Sequence, residues 1–590
     1  MENQNYKTAV YKKGDWNAPS TKGKIGLCLS GGGSRALSAG LGQLIGLKSL
    51  SDGKGGTMLD AIDTISSVSG GTWLTSIFSF SENRNLDDLL GVYAAPDTLT
   101  EKNIGHLPKG SIGHVPSRLG YSDMLEIAHK ELGIINILRY PEVRQWVWAV
   151  VVGELVLKPY GLYNGSISGA GKTTMPMPDR FFSYSKVYME KAIKALTREG
   201  ISNGQLTNKD FYFHQSNAPF PVMNTNIKLD AALSDSELLP VQGTPIAVGA
   251  TGSASEESIT ITADGGVESF AFASSLQSQT MTDALVNIER RYSLIDLVSC
   301  SSAFFAELVG QEIAKSTSIF KAGIKDIEKD FKDLLEVTEE SILADLSSFV
   351  PKYNYWPVGE QTVENRMTGF ADGGNLDNTG LLGMLARSEA NTLVVCYNSE
   401  APLGSKQDIA VEGYGEKVAQ VSSDIPILFG YQPKPVNGCY VKFSSSTPED
   451  LKYLMAAQVF EPEEFAPLVR ALFTASNGEK AAMIARTKSL KVCDNSFAGI
   501  SNRGCVDVLW LYNNYASDWV DDIHSNSWEL ADNIKYGRHV ATTDFHNFPN
   551  YSTALQIELN ATQVNALAQF QAWVINQASK EIADMFSSNE

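Results

Sequence analysis

The sequence predicts an α/β fold: a central, largely parallel sheet flanked by helices, with its ligand site at the carboxyl ends of the strands. Three stretches predict it. Ile25 to Leu29 form a short apolar run. Gly31-Gly32-Gly33 follow, and then apolar residues at helical spacing, namely Leu37, Leu41, Leu44, Ile45 and Leu47. Ala61 to Ile65 reads as the next strand. It runs into the corner Ser66-Ser67-Val68-Ser69-Gly70-Gly71-Thr72-Trp73, where a helix begins. Far downstream, Gly369-Phe370-Ala371 approaches a glycine-rich turn, Asp372-Gly373-Gly374.

The first unit carries an anion site. A strand, a glycine loop and a helix start together present free backbone N–H groups. Two anions suit such a loop. Gly31-Gly32-Gly33-Ser34-Arg35-Ala36 fits the G-x-G-x-x-A fingerprint for a pyrophosphate. The oxyanion of a tetrahedral intermediate needs the same donors. A dinucleotide fold places an acidic residue at the end of its second strand. Here that strand ends in the Ser69 corner, and Asp52 lies in a Ser-Asp-Gly turn. The oxyanion is the favoured reading.

The second unit carries a hydroxyl. A serine on a tight strand-to-helix turn is lifted out of the sheet, and Gly70 and Gly71 behind it let backbone and substrate approach. The plainer reading is a turn with a capping serine. The third unit carries a carboxylate. By itself Asp372 is an aspartate in a glycine-rich turn. A nucleophilic serine, however, needs a base within roughly 2.6–3.2 Å, or somewhat looser when the site is empty. Partial burial would raise that base's pKa. The seven histidines are His106, His114, His129, His214, His524, His539 and His546. None stands in a strand-end motif like those of Ser69 and Asp372. A histidine triad stays open, because its members are neighbours only in space.

Taken in order, Ser30-Gly31-Gly32-Gly33-Ser34-Arg35, Ser67-Val68-Ser69-Gly70-Gly71-Thr72-Trp73 and Asp372-Gly373-Gly374 resemble the cytosolic phospholipase A₂ and lysophospholipase family, relatives of the patatin-like lipases. Further segments share the likeness: Ala218 to Val222, Ser299 to Phe305, Val506 to Trp510, and Phe548 to Thr553. It runs from about residue 24 to about residue 575. The resemblance implies a Ser–Asp dyad lipase whose insertions form a cap or lid. Ser69 matches the nucleophile and Asp372 its partner. Gly32 and Gly33 match the oxyanion-hole donors, with Gly70 beside them at the substrate. Arg35 matches an arginine that steadies the site or meets the lipid phosphate. Arg387 is near the place of a second phosphate-binding arginine. One position departs: Ser67 stands where the family has glycine.

The function implied is hydrolysis of fatty-acyl esters of glycerophospholipids or lysophospholipids, through an acyl-Ser69 intermediate with Asp372 as general base. The alternatives are acyl transfer from the same intermediate and a non-catalytic lipid-binding or storage protein on this fold. No cofactor and no metal are expected. The family's calcium-dependent lipid-binding module has no room before residue 24, and no D-x-D-x-D-G loop occurs.

The remaining sequence bounds the setting. With 590 residues, 43% hydrophobic and 19% charged, the chain suits a large globular core. One site's motifs span residues 31 to 372. We therefore expect one catalytic domain over 1–590, with core motifs at 24–80 and 365–400, insertions at about 100–350 and a closing region at about 435–590. Ser234 to Ser258 reads as a loose loop, and Ile313 to Leu346 as a surface helix or part of a lid. Trp146 to Leu157 is too short and polar to span a bilayer. It reads as a core helix or strand, or else as an interfacial cap touching lipid through Trp146 and Trp148.

There is no signal-peptide pattern at the N-terminus. Six irregularly spaced cysteines form no disulfide or zinc pattern, with Cys28 and Cys396 expected as core thiols. The location expected is cytoplasmic, with peripheral membrane contact through apolar groups; export by a signal-less route stays open. A net charge of −19 disfavours nucleic acid. Gly169-Ala170-Gly171-Lys172-Thr173 misses the phosphate-loop spacing, since Ser166 stands where glycine is required.

Overall fold

The computed structural model describes residues 4–12, 16, 24–83, 85–198, 206–228, 238–256, 259–262, 265–324, 337–358, 365–387 and 389–587. Its centre is a run of five adjacent parallel strands within a 14-stranded sheet. Ile25–Leu29 (β1) leads into helix Gly33–Ser49 (α1), and Thr64–Val68 (β2) into helix Gly70–Phe80 (α2). Phe220–Lys228 (β3) lies beside β2. Helices Leu294–Ser301 (α3) and Phe304–Ile324 (α4) meet at a bend of 82°. Arg366–Asp372 (β4), Thr392–Tyr397 (β5) and Cys505–Tyr512 (β6) complete the set. Across the centre the order is β3, β2, β1, β5, β6.

Both wings of the sheet are antiparallel. Ile484–Lys491 pairs with β6 on one side, and Leu238–Gly243 with β3 on the other. The parallel centre matches expectation. The extent of the antiparallel wings was not legible, because their strands are short, polar or remote in sequence. The stretch expected as insertions, about 100–350, also supplies β3 to the middle of the sheet.

The strands read as continuous apolar runs because both faces are covered. Leu27, Leu29, Val394, Cys396, Leu509 and Leu511 pack into the core on one face. Cys28, Leu393, Val395, Val508 and Trp510 pack into the core on the other. Cys28 and Cys396 are buried thiols, and burial pushes the pKa of each upward.

β2 begins three residues later than the sequence suggests. Asp63 stops the strand: its carboxylate accepts from Ile25 N at 3.2 Å, and its carbonyl accepts from Phe220 N at 2.8 Å. The chain from Trp146 to Leu157 is a core element, helical from Val147 to Val151 and continuing as a wider turn through Leu157. The interfacial reading is overturned. Trp146 and Trp148 are buried, and Trp148 Nε1 donates to Ser302 Oγ at 3.1 Å.

The loose-loop reading of 234–258 is also corrected where residues are described: Leu238–Gly243, Val248–Ala250 and Ser253–Glu256 are strands. Residues 234–237 and 257–258 lie outside the described residues, as does 325–336 of the expected helical run. Gly171–Thr173 is a short turn at the tip of a hairpin between Ser166–Ser168 and Met175–Met177, not a strand-to-helix phosphate loop. Among the described residues, no single helix is long and apolar enough to cross a membrane.

Candidate active site

The site forms where two strands arrive end to end on the same edge of β3. β2 runs parallel to β3 and covers it from Phe220 to Asn224, with Val68 opposite Asn224. β4 runs antiparallel to β3 and covers the rest, with Asp372 opposite Thr225. The two carboxyl ends therefore converge on neighbouring residues. Thr225 Oγ1 donates to Ala371 O at 2.9 Å, and Asn226 Nδ2 to Asp372 O at 2.7 Å, fixing the end of β4.

Ser69 turns the chain from β2 into α2 with φ 50° and ψ −118°. A serine adopts that conformation only when its surroundings hold it there, at roughly 1–3 kcal/mol. Although it occupies the N-cap position, its side chain caps nothing in α2. The hydroxyl points to Asp372 instead, with Oγ 3.3 Å from Oδ2. The plain capping reading is therefore not realised.

Asp372 is buried, and its carboxylate has three partners. Gly374 N donates to Oδ1 at 2.8 Å; Phe304 N and Ser69 Oγ both donate to Oδ2, at 3.2 and 3.3 Å. Burial raises the pKa to about 7, and those three hydrogen bonds offset only part of the effect.

The glycine loop packs directly against the Ser69 turn. A Cβ at Gly31 would lie 3.1 Å from Ser69 Cβ. A Cβ on Gly70 would stand 2.1 Å from Gly33 O, so that contact admits only glycine. Gly32 has φ 126° and Gly33 φ 57°, both in the left-handed half that favours glycine. Gly33 opens α1, whose first-turn N–H groups lack helical partners. Phe305 closes the loop from above, its Cζ 2.6 Å from where a Gly33 Cβ would be. That ring is wedged against Trp73 and Trp148, with centroids 5.2 and 5.4 Å away. Such pairs add about 0.5–1.5 kcal/mol each beyond their burial.

Arg35 is 3% exposed and lies beneath this loop. Its Nη2 would meet a Gly32 Cβ at 2.2 Å. Nε donates to Asn398 O at 2.9 Å, and Nη1 to Tyr551 O and to Thr553 Oγ1 at 2.9 Å. Glu400 pairs with it at 3.4 Å. Arg35 thus ties the glycine loop to the 551–553 segment.

Arg387 is not part of the site. It is buried at the amino ends of the strands, paired with Glu389 at 2.7 Å and stacked 5.1 Å from the ring of Phe220. Phe220 faces Thr64 at the start of β2, whereas Ser69 follows its end. The sequence placed Arg387 by distance along the chain, but the turn at Leu381–Leu385 carries it back to the opposite end of the sheet.

Four residues that matter were not singled out from the sequence. Asn224 Nδ2 donates to Ser66 Oγ at 2.9 Å and to Ser67 O at 3.0 Å, bracing the strand before the turn. Two asparagines, 224 and 226, in a strand that opens on the apolar run Phe220 to Met223 were the available signal. Asn378 accepts from Gly31 N through its carbonyl at 3.0 Å and donates to Asp424 at 2.9 Å. Ser301 and Phe304 reach the site from the bend between α3 and α4. Among the described residues, no cluster of His, Cys, Asp and Glu could hold a metal ion.

Known proteins share parts of this pattern. A phospholipase B of Cryptococcus neoformans var. neoformans is 27% identical over 169 residues, which is 26% of this chain and 24% of the relative. A phospholipase B of Cryptococcus neoformans var. grubii is 26% identical over 175 residues, 27% of this chain and 25% of the relative. The match thus spans about a quarter of these relatives' length. The solved structure of human GIVD cytosolic phospholipase A2 covers 96% of this chain and 63% of its own, at 11% identity and a TM-score of 0.44. Its complex with methyl gamma-linolenyl fluorophosphonate covers 96% and 60%, at 11% identity and 0.41. No family model matches the chain. The chain resembles the cytosolic phospholipase A₂ and lysophospholipase family.

Proposed function

We propose that this chain is one catalytic unit that hydrolyses fatty-acyl esters of glycerophospholipids or lysophospholipids through Ser69 and Asp372. One observation carries the reading: the Ser69 hydroxyl is turned away from the helix it begins and lies 3.3 Å from a buried carboxylate, beside a glycine loop that opens a helix. The partial likeness to the two phospholipases B supports the substrate class.

The reaction follows from the groups present. Ser69 Oγ attacks the acyl carbonyl carbon while its proton passes to Asp372 Oδ2. The carbonyl oxygen becomes an oxyanion and is received by N–H groups of Gly32 and Gly33, an effect worth about 3–4 kcal/mol per donor. Collapse expels the glycerol-side alkoxide, which takes the proton from Asp372. Water then attacks the acyl-serine and gives its proton to Asp372. Release of the fatty acid returns that proton to Ser69 Oγ. A carboxylate with a pKa near 7 suits both directions of transfer at neutral pH. Arg35 acts indirectly, holding the donor loop against the closing segment.

The test is to incubate the protein with defined phospholipids and lysophospholipids and to identify acyl products by mass. Wild type is expected to release free fatty acid, and Ser69→Ala none. Transfer to an added alcohol at the expense of free acid would mark an acyltransferase. Equal release by Ser69→Ala would remove the assignment.

A further inference from the structure

The parallel ladder between β2 and β3 ends at the Ser69 turn, and a side chain bridges its last pair. Phe220 N donates to Asp63 O, and the register runs from there to Val68 opposite Asn224. In a parallel ladder that last pair is the one closed by Ser69 N and Asn224 O. Ser69 N donates to Ser301 Oγ at 3.1 Å, and the Ser301 hydroxyl donates onward to Asn224 O at 2.6 Å. The hydroxyl therefore joins the donor and the acceptor of that closing pair. The Thr72 hydroxyl lies 2.9 Å from Ser301 Oγ.

We propose that Ser301 is a positioning residue that ties the Ser69 backbone to the end of β3 through its hydroxyl and so aims the Ser69 side chain at Asp372. This rests on the hydrolase reading above. Ser301 Oγ accepts from the Ser69 N–H. Three residues on, Phe304 N donates to the same Asp372 oxygen that faces Ser69. The bend between α3 and α4 therefore grips both members of the pair at once.

The other end of α3 is fixed in the core. Asp296 pairs with Arg290 at 2.7 Å and accepts from the Tyr353 hydroxyl at 2.7 Å, and Arg290 stacks 4.6 Å from the ring of Trp146. Ser302, next to the bend, is held by Trp148 Nε1. Without the Ser301 hydroxyl, the Ser69 turn loses the side chain that ties its N–H to Asn224 O, and it either settles closer onto the sheet or swings away from it. Either outcome moves Oγ relative to Asp372.

The experiment compares wild type, Ser301→Ala and Ser301→Thr. The readouts are the inactivation rate with an alkyl fluorophosphonate from pH 5 to 9, kcat and KM on a lysophospholipid, and thermal unfolding. For Ser301→Ala we expect the plateau inactivation rate and kcat per folded molecule to fall about 10- to 100-fold, with KM within about threefold, because a misplacement of this size acts on the reacting geometry. The midpoint of the pH profile stays, since Asp372 keeps its burial and its backbone donors. Ser301→Thr, which retains the hydroxyl, stays within about fivefold of wild type. A purely structural role would lower the unfolding temperature and leave the rate per folded molecule unchanged. That result, or a Ser301→Thr as slow as Ser301→Ala, overturns the proposal. Absence of labelling in wild type would instead overturn the hydrolase reading.

Discussion

Ser69 Oγ and Asp372 Oδ2 lie 3.3 Å apart although 303 positions of sequence separate them. Their meeting is a consequence of register. β2 and β4 share one edge of β3, and their carboxyl ends arrive at Asn224 and Thr225. The proposed nucleophile and its proposed base are thus placed by sheet hydrogen bonds rather than by loops. This is a rigid way to hold two side chains.

The protonation of Asp372 should govern the rate. As base it must be ionised, and burial raises its pKa to about 7. Turnover of a soluble ester is expected to rise with pH on a single titration with its midpoint near 7. A rate independent of pH between 5 and 9 would show that another group accepts the proton.

The same burial should appear in stability. The folded pKa lies above the ordinary carboxylate value of about 3.9. The protonated form is therefore favoured in the folded state. Its stabilising contribution is complete below about pH 4 and is lost as pH rises through about 7. Asp372→Asn escapes that loss. Its unfolding temperature relative to wild type should climb between pH 5 and pH 8. A difference that is flat or falling with pH would contradict the burial argument.

Gly70→Ala tests the contact between the turn and the donor loop. Its Cβ would strike Gly33 O, a backbone atom that cannot swing aside. Displacement of the loop should lower kcat by roughly 100-fold or more, the scale of losing an oxyanion donor. Activity and far-ultraviolet circular dichroism measured together check it. Wild-type kcat in a folded Gly70→Ala would mean that the loop does not serve the reaction.

Arg387→Ala separates stability from chemistry. Arg387 and Glu389 form a buried pair at the far ends of the strands. Deleting one member of such a pair typically costs about 3–5 kcal/mol. We expect a lower denaturation midpoint, with kcat and KM of the folded protein unchanged within about twofold. A phospholipid KM raised more than about tenfold at unchanged stability would return Arg387 to the substrate.

Much of the candidate site's geometry was legible because its parts are local. Glycines at 31 to 33 and at 70, a serine between a strand and a helix, and an aspartate before paired glycines each declare a backbone shape within a few residues. The parallel centre of the sheet followed from the same units. What was not legible depends on distant pairing. The start of β2 depends on a carboxylate that caps β1. Arg387 is carried away by a short helical turn. The Ser301 hydroxyl matters only because of where the ladder between β2 and β3 ends, which no spacing in the sequence encodes.

The most direct test of the central claim is covalent labelling. Wild type is treated with an alkyl fluorophosphonate, and the modified peptide is identified by mass spectrometry, with Ser69→Ala and Asp372→Asn alongside. The account predicts one adduct per chain on Ser69, none in Ser69→Ala and much slower labelling in Asp372→Asn. An unlabelled wild type, or an adduct that persists at another residue in Ser69→Ala, would contradict it.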